Sequence, residues 1–423
     1  MLRKNFTRKF RRELFNFARE LDFSGWYFLL KYTFSKFRRE NSDELKLENI
    51  SGVLAHFPRL LNEKRILEAK RLSSEINRKS TVRDEVQLSY SLVVKPYLSN
   101  EEKGLIVVSF ENQLENLLNL KRVDSLLDRY YIVFIPSWTG LFSSQLFRLI
   151  SVLNGRPLFL LPVHESERKL VKYLGENCHA LPFNAASWVN SDFFHRSDLK
   201  RDIDCLIVAN FATFKRHWLL FKALKGLPNS VSAVCVGVPL GQRDGNSIRR
   251  EAEEYGVLDR VIIVENPSQE DLRDYFQRAK VFCAMSYREG SYIAVAEALI
   301  SGTPVIMFEN AHVGSKSFIS PNVGALVSSV RELRTKIKFY LNLDSHDKIR
   351  NLAFKDISAQ ENVKKLNRML SRWSEENGMK WSQNIVGFYS MRLGFYYFEK
   401  SDEDLLSQDY KYLSEQGLKF ALH

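Results

Sequence analysis

Between Val281 and Phe308 the chain holds two short apolar runs, Val281–Ser286 and Val305–Phe308, separated by a stretch of helix formers. Continuous apolar runs of this length are expected of buried parallel strands. Ala294, Ala296, Ala298 and Leu299 favour a helix between them, and Gly302 with Pro304 ends it. A strand–loop–helix–strand unit leaves few options. It belongs in an open parallel sheet with helices on both faces, and ligands collect at the C-terminal ends of the strands. Glu289 lies in the loop at that end. Glu297 follows with seven residues between the two, about two helical turns on. Helix N-terminal N–H groups beside a carboxylate suit a polyhydroxyl ligand that carries a phosphate.

The same alternation extends in both directions. Upstream, Ser89–Val94, Leu105–Ser109, Tyr131–Ile135 and Leu158–Val163 are expected strands, with helices over 111–128 and 143–153. Cys205–Ala209, Ala233–Gly237 and Val261–Val264 lead up to the 281–308 unit, with helices over 246–256 and 268–279. Between the two series, 181–198 is rich in Ser and Asn and lacks periodicity, as a crossing between domains would be. The 423 residues are enough for two such domains. The expected division is 1–44, a basic aromatic helical extension; 45–195, the first domain; 196–375, the second; and 376–423, a helical tail returning to the first.

Glu289-Gly290, Glu297-Ala298 and Gly302-Thr303-Pro304-Val305-Ile306 resemble the E-x7-E region of the retaining glycosyltransferases of family four, glycosyl transferases group 1. The resemblance implies the α/β fold class called GT-B, two Rossmann-like domains facing a cleft, here with helical N- and C-terminal extensions. It implies transfer of a sugar from a nucleotide-sugar donor to a sugar or lipid-linked glycan acceptor, with retention and with no metal or other cofactor. Glu289 would meet the donor sugar, and Gly290, Ser291 and Tyr292 would approach sugar and phosphate. Glu297 would hold the ribose, with Gly237 also at the donor site. Lys215, at a strand-to-helix turn, would neutralise the diphosphate. Relatives carry an Arg five residues before that Lys, where this chain has Asn210; Arg216 or His217 would compensate. Many relatives also have a second Gly where Tyr292 stands. A cleft His is common near the reaction centre, and His164 is the candidate. The alternatives are a non-catalytic scaffold of the same fold and a nucleotide-sugar epimerase.

Other chemistries find little support. Asp202 and Asp204 could chelate a metal, but they precede a strand and would lie away from the cleft. No Gly-x-Gly-x-x-Gly, P-loop or Gly-x-Ser-x-Gly occurs. The four cysteines are expected to be reduced core residues of a cytosolic protein. Residues 1–41 hold 11 Lys or Arg, 4 acidic residues and 11 aromatics, a large part of the +12 net charge. Phe6, Phe10, Leu14, Phe17 and Leu21 share a helical face, which suits an anionic membrane surface or packing on the protein itself. Nucleic acid is not expected, since no binding motif accompanies the charge. No apolar run approaches the roughly 20 residues of a spanning helix.

Overall fold

The computed structural model describes residues 42–56, 62–76, 82–195, 199–343, 346–391 and 394–421. The chain enters through α1 (Asp43–His56) and α2 (Glu63–Glu75). The first sheet follows: β1 (Val86–Leu88), β2 (Ser91–Lys95), β3 (Gly104–Ser109), α3 (Glu111–Asn119), α4 (Val123–Arg129), β4 (Tyr130–Ile135), α5 (Ser144–Val152), β5 (Leu158–Leu160), α6 (Glu165–Arg168) and β6 (Cys178–Ala180). Its order is β2-β3-β4-β5-β6, with β2 antiparallel to β3 and the others parallel. β5 stops short of the expected Val163 because Pro162 has no N–H to continue the ladder.

The second series is β7 (Ile203–Val208), α7 (His217–Leu224), β8 (Ala233–Gly237), α8 (Gly245–Tyr255), β9 (Val261–Glu265), α9 (Gln269–Arg278), β10 (Ala279–Ala284), β11 (Arg288–Glu289), α10 (Ile293–Ile300), β12 (Val305–Phe308), β13 (His312–Val313) and β14 (Gly324–Val327). Six of these strands form a parallel sheet, β14-β12-β10-β7-β8-β9. The chain builds outward from β7 to β9, then crosses back to place β10 on the other side of β7. The order therefore reverses between β7 and β10, and a crevice forms there at the strand C-termini. α8 and α9 start on side-chain caps, Asp244 with Ser247 and Ser268 with Asp271.

Three helices follow, α11 (Val330–Tyr340), α12 (His346–Ile357) and α13 (Ala359–Glu376). The chain crosses between two hydrophobic cores at 186–189 and again at 357–359. The crossings bond each other: Val189 N donates to Ile357 O and Ala359 N to Val189 O. α13 was grouped with 196–375 on sequence, yet Val363, Leu366 and Leu370 pack into the first core. The tail, expected to be helical, is mixed: β15 (Phe388–Met391) and β16 (Gly394–Tyr397) form an antiparallel pair, followed by α14 (Lys400–Leu405), α15 (Ser407–Glu415) and β17 (Leu418–Phe420). Its Tyr and Phe residues suit a pleated, half-buried surface better than a helix. β17 pairs in parallel with β1, on the first sheet's side. Among the described residues, no helix is long and apolar enough to cross a membrane.

Candidate active site

The loops on either side of the β7–β10 crevice deliver the two central side chains. After β7, a single 3-10 turn at Thr213–Lys215 tucks Lys215 inward until it is 5% exposed. After β10, the chain forms the two-residue β11, held by β13, which carries Glu289. Lys215 Nζ lies 2.5 Å from Glu289 Oε2 and 4.5 Å from the centroid of the Tyr292 ring. The other carboxylate oxygen, Oε1, is buried without a hydrogen-bond partner among the described residues, as are Ser286 Oγ and Ser291 Oγ. Unpaired buried polar atoms cost free energy, and one of them, Glu289 Oε1, belongs to the carboxylate that meets Lys215.

Tyr292 occupies the place where relatives have a glycine, and takes a glycine-like conformation, φ +33°. Its ring turns into the core and its hydroxyl donates to Val208 O at 2.7 Å. The backbone turn into α10 is thus kept without a second Gly. Gly290 is needed for contact: a Cβ there would stand 3.0 Å from the backbone of Ser137, in the first domain's loop after β4. Glu297 is buried on α10, and burial pushes its carboxyl up to about 8. At neutral pH it holds a proton and can both donate and accept a hydrogen bond.

The compensation expected from Arg216 and His217 takes another form. Arg216, at φ +51°, donates from Nε to Met285 O at 2.7 Å and from Nη2 to Ser286 O at 3.3 Å. Its guanidinium thus pins the loop leading to Glu289. His217 is buried with neither ring nitrogen partnered among the described residues. Burial first, then the cations Arg243 and Lys215, hold it down at about 3, so it is neutral and adds no charge. Asn210 Oδ1 accepts from Ala212 N at 3.2 Å and closes the turn. Gly237 ends β8 against that turn, where a Cβ would stand 2.0 Å from Ala209 O.

A cation that spacing did not reveal is Arg243, in the loop after β8. Its Nε donates to Phe211 O and its Nη2 meets Glu251 Oε1 at 2.8 Å. It is reached through the fold, from a neighbouring strand end; a charged residue past the end of an expected strand was the only signal in the sequence. His164 sits across the cleft at the start of α6, 6.4 Å from the His312 ring. Burial, with His312, Lys316 and Arg288 nearby, holds it at about 4. The loops close on each other there: Gly314 N donates to Gly290 O at 2.6 Å, and a Cβ on Gly314 would stand 3.0 Å from Val163 O. A cavity of about 940 Å³ opens beside His164 and is walled by Phe183, Asn184, Ser317, Arg368 and Arg372. Lys215, Glu289 and Glu297 lie outside it.

Asp202 forms a two-pronged pair with Arg278 at 2.9 Å, and Asp204 meets Lys280 at 2.7 Å, both at the start of β7. The described residues hold no cluster of metal-ligating side chains. All four cysteines are free and buried.

Residues 191–356 match the family model of glycosyl transferases group 1. No curated protein sequence matches the chain. Among solved structures, HepE of Anabaena, in complex with UDP, is 14% identical, with a TM-score of 0.50, over 64% of this chain and 79% of that one. Sucrose-phosphate synthase of Thermosynechococcus elongatus is 17% identical, with a TM-score of 0.48, over 64% of this chain and 74% of that one. TarM of S. aureus is 13% identical, with a TM-score of 0.47, over 73% of this chain and 58% of that one. The fold is GT-B.

Proposed function

We propose that this chain is a retaining, metal-independent glycosyltransferase that moves a sugar from a nucleotide-sugar donor to an acceptor hydroxyl in bacterial glycan assembly. The observation that carries this reading is the Lys215–Glu289 pair at the crevice, with Glu289 Oε1 and Ser291 Oγ awaiting partners. In this structure the two charges satisfy each other. A donor would part them: its diphosphate takes Lys215, and its sugar hydroxyls take Glu289. In the reaction, the acceptor oxygen bonds to the anomeric carbon as the bond to the diphosphate breaks. The electron pair leaves with the diphosphate, which also takes the acceptor's proton. Charge therefore grows on the leaving group, where Lys215 and the free N–H groups at the start of α10 stand ready. A fixed protein cation does the work a metal would do, and Asp202 and Asp204 are committed to ion pairs elsewhere. Retention follows the family resemblance. Glu297 would hold the ribose, and His164, neutral at pH 7, would act as a hydrogen-bonding group.

The test is turnover of nucleotide sugars with and without chelator. Activity should survive chelator. Lys215→Ala should lower turnover by more than it weakens donor binding, because the charge is larger in the transition state. Equal losses in turnover and binding would reduce Lys215 to a binding residue. Abolition by chelator, with rescue by manganese or magnesium, would overturn the metal-free mechanism.

We further propose a peripheral position at the inner face of an anionic membrane through residues 1–41, which lie outside the described residues. Each basic residue near an anionic leaflet contributes about 1 kcal/mol. Changing Arg8, Arg11, Arg12 and Arg19 together to Gln should abolish binding to anionic vesicles and leave the melting temperature nearly unchanged. Absence of vesicle binding by the unmodified protein at low salt would dispose of the idea.

A further inference from the structure

Trp138 stands out among the apolar side chains because it is large, 45% exposed and placed at the cleft. It follows β4, in a loop whose backbone is tied down. Ser137 N donates to Glu111 Oε1 at 3.0 Å, Gly140 N donates to Ser137 O at 3.3 Å, and a Cβ on Gly140 would collide with the buried Glu167 carboxylate. The indole is also held directly. The Arg288 guanidinium lies over its ring at 4.9 Å, and the His56 ring meets it edge-on at 5.2 Å. Arg288 in turn donates from Nη1 to His56 O at 3.2 Å and approaches His56 Nδ1 at 3.1 Å. The indole is thus held by a cation over its ring and by a histidine, while almost half of the residue stays exposed.

Its neighbour across the cleft gives the open surface a purpose. Arg288 immediately precedes Glu289, and a Cβ on Gly290 would stand 3.1 Å from Trp138 N. A rigid aromatic plate therefore sits beside the loop expected to carry the donor sugar, but on the opposite domain. Such a plate suits a ring with an apolar face. A pyranose presents axial C–H groups on one side and hydroxyls around its rim, so stacking removes apolar surface from water and leaves the rim free to bond.

We propose that Trp138 is an acceptor-binding residue, the platform on which a pyranose ring of the acceptor stacks, with Arg288 and His56 as the residues that position it. This rests on the transferase reading and narrows it: the acceptor is a pyranoside, not an acyclic polyol.

The test is a binding measurement, so it does not depend on turnover. Saturation-transfer NMR is run on the full chain with UDP, using methyl β-glucopyranoside, methyl β-galactopyranoside and glycerol as probes. UDP affinity is measured separately by calorimetry. The unmodified protein should transfer saturation to the ring C–H protons of a pyranoside and not to glycerol. Trp138→Ala should weaken the pyranoside by about tenfold, Trp138→Phe should retain most of the binding, and UDP affinity should stay the same in both. Pyranoside binding that is absent, or undiminished in Trp138→Ala, overturns the proposal. A parallel loss of UDP affinity in Trp138→Ala also overturns it, since the residue would then serve closure of the cleft. Failure of the transferase reading shows separately, as nucleotide-sugar turnover absent while pyranoside binding persists.

Discussion

Glu297 shows how far a residue's surroundings set its chemistry. Sequence placed it two turns beyond Glu289, and the resemblance assigned it the ribose; only the fold shows that it is buried, which pushes its carboxyl up to about 8. A carboxyl raised from its ordinary 4.5 to about 8 means that the folded chain binds this proton more tightly than the unfolded chain. Stability is therefore lost as pH rises from about 4.5 through about 8. Glu167, fully buried and raised to about 7, acts in the same direction. Glu297→Gln should flatten the fall in melting temperature between pH 6 and 9, and should keep much of the nucleotide affinity at pH 6, where the two side chains are nearly isosteric. An unchanged pH slope in the variant would mean that Glu297 is solvated. The placements of Glu289 and Lys215 at the crevice were legible because the motif and turn that hold them are local. Arg216 and Arg243 were not, because the backbone carbonyls they reach lie in loops that follow other strands. Spacing along the chain carries no record of which carbonyl a guanidinium will reach.

At the scale of elements, buried strands declared themselves. β8 and β12 lie where their continuous apolar runs put them, since a strand covered on both faces has no polar position to blur it. β6, β11 and β13 run two or three residues with mixed burial, too short for any pattern to register. Yet β11 carries Glu289, and its placement depends on Arg216 bonding Met285 O and Ser286 O. Arg216 also sits in left-handed backbone, which Gly tolerates and Ala does not. The two contributions can be separated. Arg216→Gly removes the guanidinium and relieves the left-handed strain, whereas Arg216→Ala removes the guanidinium and keeps the strain, and should be less stable than the Gly variant by about 1 kcal/mol. Both should lose about tenfold or more in nucleotide affinity as the loop loosens, two hydrogen bonds from a charged group being removed. Full affinity in the Gly variant, measured by calorimetry, would show that the loop stands without its pin.

The whole molecule is held by segments that return. The chain leaves the first core at 186–189 and comes back at 357–359. The tail then closes over β2: Tyr397 Oη donates to Val93 O, and Val93 N donates to Tyr410 Oη. β17 adds itself to β1. Asp409 is the buried fastener, its Oδ1 accepting from Tyr97 N at 2.8 Å and from Tyr130 Oη at 2.6 Å. That the tail would return to the first domain was an expectation; the strands and side chains it meets there were not legible in sequence. The tail's aromatics announced burial, but nothing local says which surface, more than 300 residues earlier, they will meet. Because Asp409 serves only the first core, its loss should divide the molecule energetically. Asp409→Ala strands a half-buried N–H and a buried hydroxyl, at about 1–3 kcal/mol for a fully buried group and less for the N–H. Asp409→Asn keeps an acceptor oxygen and should cost less. A calorimetric scan of Asp409→Ala should show an early transition for the first core, and a later one, for the 203–327 sheet, that still shifts upward with a nucleotide that stabilises the unmodified protein. If the variant instead melts in a single transition and loses nucleotide binding with it, the two cores are one cooperative unit, and the returning tail supports the donor site directly.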